Sequence, residues 1–344
     1  MNLSRFRPSR RTLIILALAA ASLVALWFIP TDYMISAPGS AQDVADMISV
    51  DGRHIDLDDG GSLMLTTVMS DEANVLLYVV GRLYPLAELN PKSSYLRSGE
   101  DFDEYRERTR QMMSESQQLA KYVAFDQLGY EVTFEGEGVL VVNVRSDSLA
   151  RDILQPGDVI VSADGRATEI TDHLLDIVGE HQPGDEIELE FLRGEGEGRE
   201  RHRSRVTLIE SPEEAGAAII GIGVTTENPS FGFPRDVEID AGKIGGPSAG
   251  LAFTLAVVDA LTPEESLIDD LRLACTGTVN VRGEVGAVGG VHLKAHAARR
   301  AGADYFLVPE ANYSDARRAD VDLEIVPVEN VEEALDFLRQ LQVP

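Results

Sequence analysis

Cysteine is nearly absent from this sequence: the chain of 344 residues has one, Cys275. One cysteine cannot form an internal disulfide, so the chain is not a secreted scaffold built on disulfide bridges. The apolar residues around Cys275 predict a strand, in which it serves as a small buried hydrophobic side chain.

Lysine is also scarce. The chain has 30 basic residues, and only four are lysines, at Lys92, Lys121, Lys243 and Lys294. Arginine keeps its proton at any physiological pH, whereas lysine can lose its proton where the surroundings disfavour the charge. A reaction that needs a neutral amine can therefore use very few positions of this chain.

Several motifs of common enzyme classes are missing. The printed residues contain no His-Glu-x-x-His sequence and no Gly-x-x-x-x-Gly-Lys-Ser/Thr loop, the patterns of a zinc protease and of a nucleotide-binding P-loop. The six histidines show no metal-ligand spacing, so we expect no metal and no cofactor. His292 and His296 flank Lys294 at a helical spacing, but no aspartate follows in a place that would complete a histidine-based triad.

Acidic residues outnumber basic residues in this chain. Aspartate and glutamate number 58 against 30 basic residues, which gives a formal net charge of −28. Such acidity argues against nucleic acid as a partner and favours solubility. The length suggests two or three folded units with ample core.

The longest uncharged stretch lies at the N-terminus. Residues 1–11 carry four arginines and no acid, and residues 12–29 contain no charge. Eighteen apolar residues are just enough to span a bilayer. Arginines before the stretch and acids after it predict an N-terminus in the cytoplasm. We therefore expect a single-pass anchor of a bacterial cell membrane, with everything after residue 30 extracytoplasmic. A cleaved signal peptide is the alternative.

Ser248 lies in the sequence Lys243-Ile-Gly-Gly-Pro-Ser-Ala-Gly250, directly before an apolar helix that begins at Leu251. A serine at a helix start is close to backbone N–H groups that have no partner within the helix, and these can hold an oxyanion. Ser248 is therefore either a nucleophile or a simple N-cap. The walls of an oxyanion site would come from Gly246, Pro247 and Ala249.

Lys294 is the best placed general base. It follows the Gly289-Gly290 turn, near the start of a helix that ends at Gly302. The helix dipole disfavours a cation there, and burial would lower the lysine pKa from its reference of roughly 10.4. A solvated helix residue is the alternative reading of Lys294. Lys243, five residues before the serine, is the second choice of base and a possible contact for a peptide.

These segments together resemble the proteolytic domain of Lon-type serine proteases. The shared features are Gly-Pro-Ser-Ala-Gly before an apolar helix, Thr276-Gly-Thr-Val279, and Gly-Gly-x-x-x-Lys leading into an alanine-rich helix. Their order and spacing match from near Ala217 to the C-terminus. The resemblance implies that Ser248 is the nucleophile and Lys294 the general base of a Ser–Lys dyad.

One position departs from the common Lon pattern. Many Lon proteases have an acidic residue three positions before the serine, where this chain has Gly245. The form Ile-Gly-Gly-Pro-Ser-Ala-Gly resembles instead the membrane-anchored, ATPase-free branch of bacterial Lon-like proteases, which also carry a PDZ domain. The departure leaves the dyad intact and concerns the walls of the site.

Residues 129–210 resemble a bacterial PDZ domain. Pro156-Gly157-Asp158 is followed by Val-Ile-x-x-x-Asp-Gly, and the length agrees. The resemblance implies that a peptide C-terminus adds as a strand to a sheet edge. We predict that its binding residues lie in the glycine loop and the strand after it, at Gly136, Gly138, Val139, Leu140 and Val141. A rigid spacer is the alternative role.

The sequence of residues 31–128 contains no pattern that indicates a catalytic or binding site. Strands are predicted near residues 33–36, 62–69 and 74–80, and a helix is predicted over 101–128. A packing or spacing role is the default for this lead-in region.

The sequence thus predicts an α+β multidomain chain. Its parts are a basic tail (1–11), a transmembrane helix (12–29), a small α/β lead-in region (31–128), a PDZ domain of β-sandwich or barrel type (129–210) and a Lon-type α/β proteolytic domain (211–344). We expect an ATP-independent serine endopeptidase that acts on unfolded or flexible proteins, with peptide C-termini bound at the PDZ domain. A membrane-tethered PDZ scaffold with an inactive Lon-like domain is the alternative. The sequence leaves the oligomeric state open, and a homo-oligomer is one option.

Overall fold

The protein is described by a computed structural model over residues 10–55, 60–97, 99–194, 196–212, 215–262, 267–268 and 271–342. The chain divides into two compact units. The discontinuous unit combines Met1–Tyr130 with Arg235–Pro344, and the inserted unit is Glu131–Pro234. The predicted basic tail at 1–11 falls almost entirely outside the described residues.

The α-helices of the described residues are numbered in chain order. They are α1 (Arg10–Trp27), α2 (Val75–Leu83), α3 (Phe102–Gln127), α4 (Thr171–Gly179), α5 (Gly250–Leu261), α6 (Val291–Ala301), α7 (Tyr313–Arg317) and α8 (Val331–Leu341).

The strands are numbered in the same way. They are β1 (Pro30–Asp43), β2 (Ile48–Val50), β3 (Arg53–His54), β4 (Ser62–Asn74), β5 (Glu88–Pro91), β6 (Thr133–Glu135), β7 (Val139–Val144), β8 (Val159–Ala163), β9 (Arg166–Ala167), β10 (Glu186–Arg193), β11 (Glu200–Thr207), β12 (Ile209–Glu210), β13 (Ala218–Ile219), β14 (Ile222–Thr226), β15 (Ser230–Gly232), β16 (Val237–Ile239), β17 (Arg272–Cys275), β18 (Thr278–Val279), β19 (Val285–Gly286), β20 (Tyr305–Pro309) and β21 (Glu324–Val328).

A six-stranded mixed sheet forms the centre of the discontinuous unit, in the order β21-β20-β17-β4-β1-β5. The strands β21, β20, β17 and β4 run parallel to one another, and β1 is antiparallel to β4. The predicted lead-in region therefore supplies β1, β4 and β5 of the same sheet that contains β17. Residues 31–128 therefore complete this sheet and are more than a spacer.

The helices of this unit are fixed by their ends and their apolar faces. Asp101 caps α3 in a reciprocal capping box with Glu104, which satisfies donors that the first turn leaves free. Helix α5 is buried almost along its whole length and packs against α3 and β4. Helix α6 packs against β1 and β4 and ends at Gly302, which has the left-handed conformation (φ 80°) that favours glycine.

The inserted unit has a separate core under a sheet of order β11-β10-β8-β7-β14. Alternate residues of β10 are buried (Ile187, Leu189 and Phe191), as a strand with one solvent face requires. Asp158 is fully buried, and Arg193 donates to both of its carboxylate oxygens. The compact unit ends at Pro234.

Helix α1 coincides with the predicted transmembrane segment at residues 12–29. Within the described part of the chain, no helix combines the length and apolar character that crossing a membrane requires. The structure therefore does not support the predicted anchor.

The predicted strand near residues 74–80 is wrong, because this segment is helix α2. Its β-branched residues favour a strand, but the side chain of Asn74 accepts a hydrogen bond from the backbone N–H of Leu77 and caps a helix. The side-chain cap and the packing of α2 against β1 together stabilise a helix here in place of a strand.

Candidate active site

Ser248 lies in the loop that leads into α5. Gly246 in this loop has φ 87°, a conformation that favours glycine, and Ala249 is the first flanking residue of the helix. Since α5 is held on nearly all sides by the core, the serine is attached to one of the most firmly packed elements of the unit.

Lys294 reaches the serine from α6, 46 residues further along the chain. Gly290 adopts the left-handed conformation (φ 66°) and lets the chain turn sharply into this helix. The Nζ atom of Lys294 lies 2.7 Å from Oγ of Ser248 and 2.8 Å from Oγ1 of Thr276. The two residues of the predicted dyad are therefore in direct contact.

Burial makes Lys294 an unusual lysine. Its side chain is almost completely removed from solvent, with 3% of the residue exposed. Desolvation of the charged form lowers the pKa of Lys294 to about 7, and the neighbouring Cys275 has a weaker opposite influence. Burial also raises the pKa of the Cys275 thiol, so this cysteine stays protonated. A large share of Lys294 is thus neutral at neutral pH.

Thr276 is a third member of this constellation that sequence reasoning did not identify. It follows β17 directly, and its hydroxyl donates to the carbonyl oxygen of Ser248 at 3.1 Å. With its proton so placed, the hydroxyl oxygen is free to accept from Lys294. The sequence contains the Thr-Gly-Thr motif, but a threonine after a strand has too many ordinary roles to indicate this one.

The backbone of the nucleophile loop is held from two sides. The N–H of Gly277 donates to the carbonyl of Ser248 (3.0 Å), and the N–H of Gly246 donates to the carbonyl of Thr109 on α3 (2.7 Å). Gly246 was predicted as an oxyanion donor, yet its N–H is occupied. Pro247 has no N–H. Of the predicted oxyanion residues, Ala249 remains, together with Ser248 itself, and neither backbone N–H has an acceptor among the described residues.

The other bases considered from the sequence lie elsewhere. Lys243 is exposed on the wall of the cleft beside Ser248. Nε2 of His292 lies 3.0 Å from Glu88, whereas its Nδ1, 3.6 Å from Asp315, has no hydrogen-bond partner among the described residues. The contact to Ser248 Oγ is made by Lys294.

A cleft of about 940 Å³ opens beside Ser248 and Lys294. Its lining includes residues 65–70 of β4, the end of β1, one face of α3 and residues 240–249 of the nucleophile loop. Strand β4 pairs with β17 only as far as Leu65, and beyond it β4 has β1 as its paired neighbour among the described residues. Along residues 66–70, the backbone edge of β4 on the side away from β1 therefore has no strand paired to it among the described residues.

The peptide edge predicted in the inserted unit needs a correction. Strand β7, which contains Val139, Leu140 and Val141, is paired with β8 on one side and with β14 on the other. A peptide cannot add to a strand with both edges occupied. The strands at the two ends of this sheet are β11 and β14, and β14 is the one that pairs with β7.

Gly136 and Gly138 have structural reasons to be glycine. A Cβ on Gly136 would lie 2.5 Å from the carbonyl oxygen of Glu169, and Gly138 has φ 137°. The N–H of Gly138 donates to that same carbonyl. These glycines therefore serve the close approach of two backbone segments.

Comparison with known proteins agrees with the division of the chain. Residues 236–340 match the family described as the Lon protease (S16) C-terminal proteolytic domain, and residues 126–201 match the PDZ domain family. The archaeal Lon protease of Halobacterium salinarum is 38% identical over 103 residues, which cover 29% of this chain and 14% of that protein. The Lon protease of Clostridioides difficile is 34% identical over 158 residues, 44% of this chain and 19% of that protein.

A solved PDZ domain of an SdrC-like protein from Listeria monocytogenes is 26% identical and covers 26% of this chain and 87% of that structure, with a TM-score of 0.23. The chain spans less than one fifth of the length of the two Lon proteases. The two family matches indicate a Lon-type proteolytic domain at residues 236–340 and a PDZ domain at residues 126–201, and the first of these similarities supports serine peptidase activity.

Proposed function

We propose that this chain is an ATP-independent serine endopeptidase in which Ser248 and Lys294 form the catalytic dyad. The observation that carries the proposal is the 2.7 Å contact between Ser248 Oγ and a buried Lys294 Nζ whose pKa is lowered to about 7. A neutral amine at hydrogen-bond distance is what a serine hydroxyl needs to lose its proton at physiological pH.

The reaction begins with neutral Lys294. Its nitrogen takes the proton of Ser248, and Oγ attacks the carbonyl carbon of the scissile peptide bond. The backbone N–H groups of Ser248 and Ala249 receive the oxyanion, and one such donor is worth about 3 kcal/mol in comparable sites. Lys294 then gives its proton to the leaving amine. In the second half, Lys294 removes a proton from water as the water oxygen attacks the acyl-enzyme ester, and Lys294 returns that proton to Ser248 Oγ as the bond between Oγ and the acyl carbon breaks.

Extended segments of protein are the substrates that fit the cleft. Residues 66–70 of β4 present a backbone edge beside the dyad, and an extended peptide can pair with such an edge. The printed residues contain no P-loop. We therefore propose that substrates arrive as unfolded chains, loops or tails, without ATP-driven unfolding by this chain.

The inserted unit is proposed to bind peptide C-termini along the open edge of β14. Gly221, with φ 78°, turns the chain directly before this strand, and α4 lies beside it. Such an edge offers main-chain hydrogen bonds to an added strand, with backbone N–H groups of the preceding turn for its carboxylate. This gives the unit a part in recruiting substrates or regulatory peptides.

The test compares the full chain with its Ser248→Ala and Lys294→Arg variants on casein, an unfolded protein, without ATP. We expect cleavage by the wild type alone, because arginine keeps the charge of Lys294 but cannot act as a base. Equal cleavage by wild type and Ser248→Ala contradicts the proposal. Peptide binding by the inserted unit without any turnover would favour the alternative of a binding scaffold.

A further inference from the structure

The buried hydroxyl of Ser116 on α3 points at the backbone of the nucleophile loop. Its Oγ donates to the carbonyl oxygen of Pro247 at 3.0 Å, and Ser116 is 3% exposed. A Cβ added to Gly250 would lie 3.1 Å from this Oγ, so α3 and the start of α5 are in close contact there. Ser116 thus holds the carbonyl immediately before the nucleophile.

A carbonyl held in place also fixes the N–H on the other side of its peptide bond. The described peptide bonds are trans, so the C=O of Pro247 and the N–H of Ser248 point in opposite directions within one plane. With the carbonyl directed at α3, the N–H of Ser248 is directed away from α3. The same reasoning applies one residue later, where Gly277 and Thr276 hold the carbonyl of Ser248 and so orient the N–H of Ala249.

The two N–H groups are thus oriented by different parts of the unit. Ala249 depends on the segment after β17, whereas Ser248 depends on Ser116 and on the weaker contact from Gly250 N–H to Pro247 (3.3 Å). Serine has a lower helix propensity than alanine or leucine, so propensity does not explain its position in α3. Its buried hydroxyl requires a hydrogen-bond partner. The partner of the Ser116 hydroxyl is the carbonyl oxygen of Pro247. This carbonyl sets the direction of the Ser248 N–H, one of the two proposed oxyanion donors.

We propose that Ser116 is a positioning residue that orients the backbone N–H of Ser248 toward the oxyanion of the reaction intermediate. The inference rests on the proposed peptidase function and adds to it a residue outside the dyad. Ser116 does not touch the reacting atoms and acts through the Pro247 carbonyl alone.

The test uses the full chain with Ser116→Ala, and Ser114→Ala, an exposed serine of the same helix, as the matched control. Casein cleavage should show about a ten-fold lower kcat for Ser116→Ala, the size expected for a lost buried hydrogen bond. KM and the pH at half-maximal rate should be unchanged, because substrate binding and Lys294 are untouched. The control should match the wild type.

Two further measurements separate positioning from loss of structure. A peptide boronate, whose tetrahedral adduct with Ser248 resembles the intermediate, should bind Ser116→Ala about ten-fold more weakly. Wild-type kcat and boronate affinity in this variant would overturn the proposal. So would a fall in kcat with a shifted pH profile, because the substitution would then be acting on Lys294.

Amide hydrogen exchange does not depend on turnover. The N–H groups of Gly246 and Gly250, which donate to Thr109 and Pro247, should exchange about ten-fold faster in Ser116→Ala than in the wild type, while α6 stays protected. Unchanged exchange overturns the proposal even if the wild type cleaves nothing. An inactive wild type would refute the peptidase function, and exchange would still decide whether Ser116 holds the loop.

Discussion

The hydroxyl of Thr276 lies 2.8 Å from Nζ of Lys294 while its proton is donated to the carbonyl oxygen of Ser248. One side chain therefore contacts both residues of the proposed dyad. It fixes the backbone of the nucleophile and gives the buried amine of Lys294 a second hydrogen-bond acceptor. The lysine is held by two hydroxyl groups, and no carboxylate is needed to orient it.

Replacing Thr276 by valine keeps the volume of the side chain and removes the hydroxyl. We expect kcat to fall by about 10- to 100-fold, since one buried hydrogen bond to the lysine and one to the nucleophile backbone are lost. Thr276→Ser, which keeps the hydroxyl, is the matched control. Steady-state cleavage of casein by both variants measures the effect. Equal rates for the valine and serine variants would show that the hydroxyl has no catalytic role.

The rate of peptide cleavage should depend on pH through Lys294. Because the pKa of this amine is lowered to about 7, the protonated, inactive form dominates below that pH and the neutral base above it. We expect kcat/KM to rise about ten-fold per pH unit up to near pH 7 and then to level off. A peptide substrate without titratable side chains makes the measurement clean. A flat profile from pH 5.5 to 9 is the outcome that the dyad cannot explain.

The same lysine should make stability depend on pH. Its pKa is about 7 when folded and near its ordinary value of 10.5 when unfolded, so between these values the unfolded chain binds more protons. The free energy of unfolding must then rise with pH in this window, by at most about 1.4 kcal/mol per unit. Denaturant unfolding of the wild type and Lys294→Met at pH 7, 8 and 9 isolates this contribution. Parallel stabilities of the two proteins would mean that Lys294 titrates normally.

Peptides bound to the inserted unit should contact β14 and the turn before it. A peptide with a free C-terminal carboxylate and a photoreactive benzophenone side chain should crosslink to residues 219–226 of the full chain, because β14 is the end strand next to β7 and β7 is paired on both sides. The same peptide with a C-terminal amide is the control and should label weakly. Crosslinks concentrated on residues 139–144 would contradict the assignment to β14.

Sequence alone indicates the two side chains with the strongest chemical signals. Ser248 stands out because glycines and a proline precede a predominantly apolar helix, and Lys294 because lysine is rare in this chain. The structure brings these two together. It also adds Thr276 and Ser116, whose roles depend on contacts across 28 and 131 residues of sequence that no local pattern records.

Strand neighbours were harder to predict for the same reason. The apolar run Val139–Val142 reads as a strand, but nothing local shows that β14 covers one of its edges. The sequence predicts only a packing or spacing role for residues 31–128, because β17, the strand that pairs with β4, lies after the inserted unit. Domain boundaries and the extracytoplasmic location stay predictions from sequence.

The pairing of β4 with β17 has a consequence for the biosynthesis of this protein. Thr66 and Cys275 meet in these strands although 209 residues separate them. At ribosomal rates of about 5–20 residues per second, β4 waits roughly 10–40 s for its partner. The inserted unit emerges complete within that interval and can fold first. Ser248 is likewise synthesised before Lys294, so the proposed dyad cannot assemble until Lys294 has also been made.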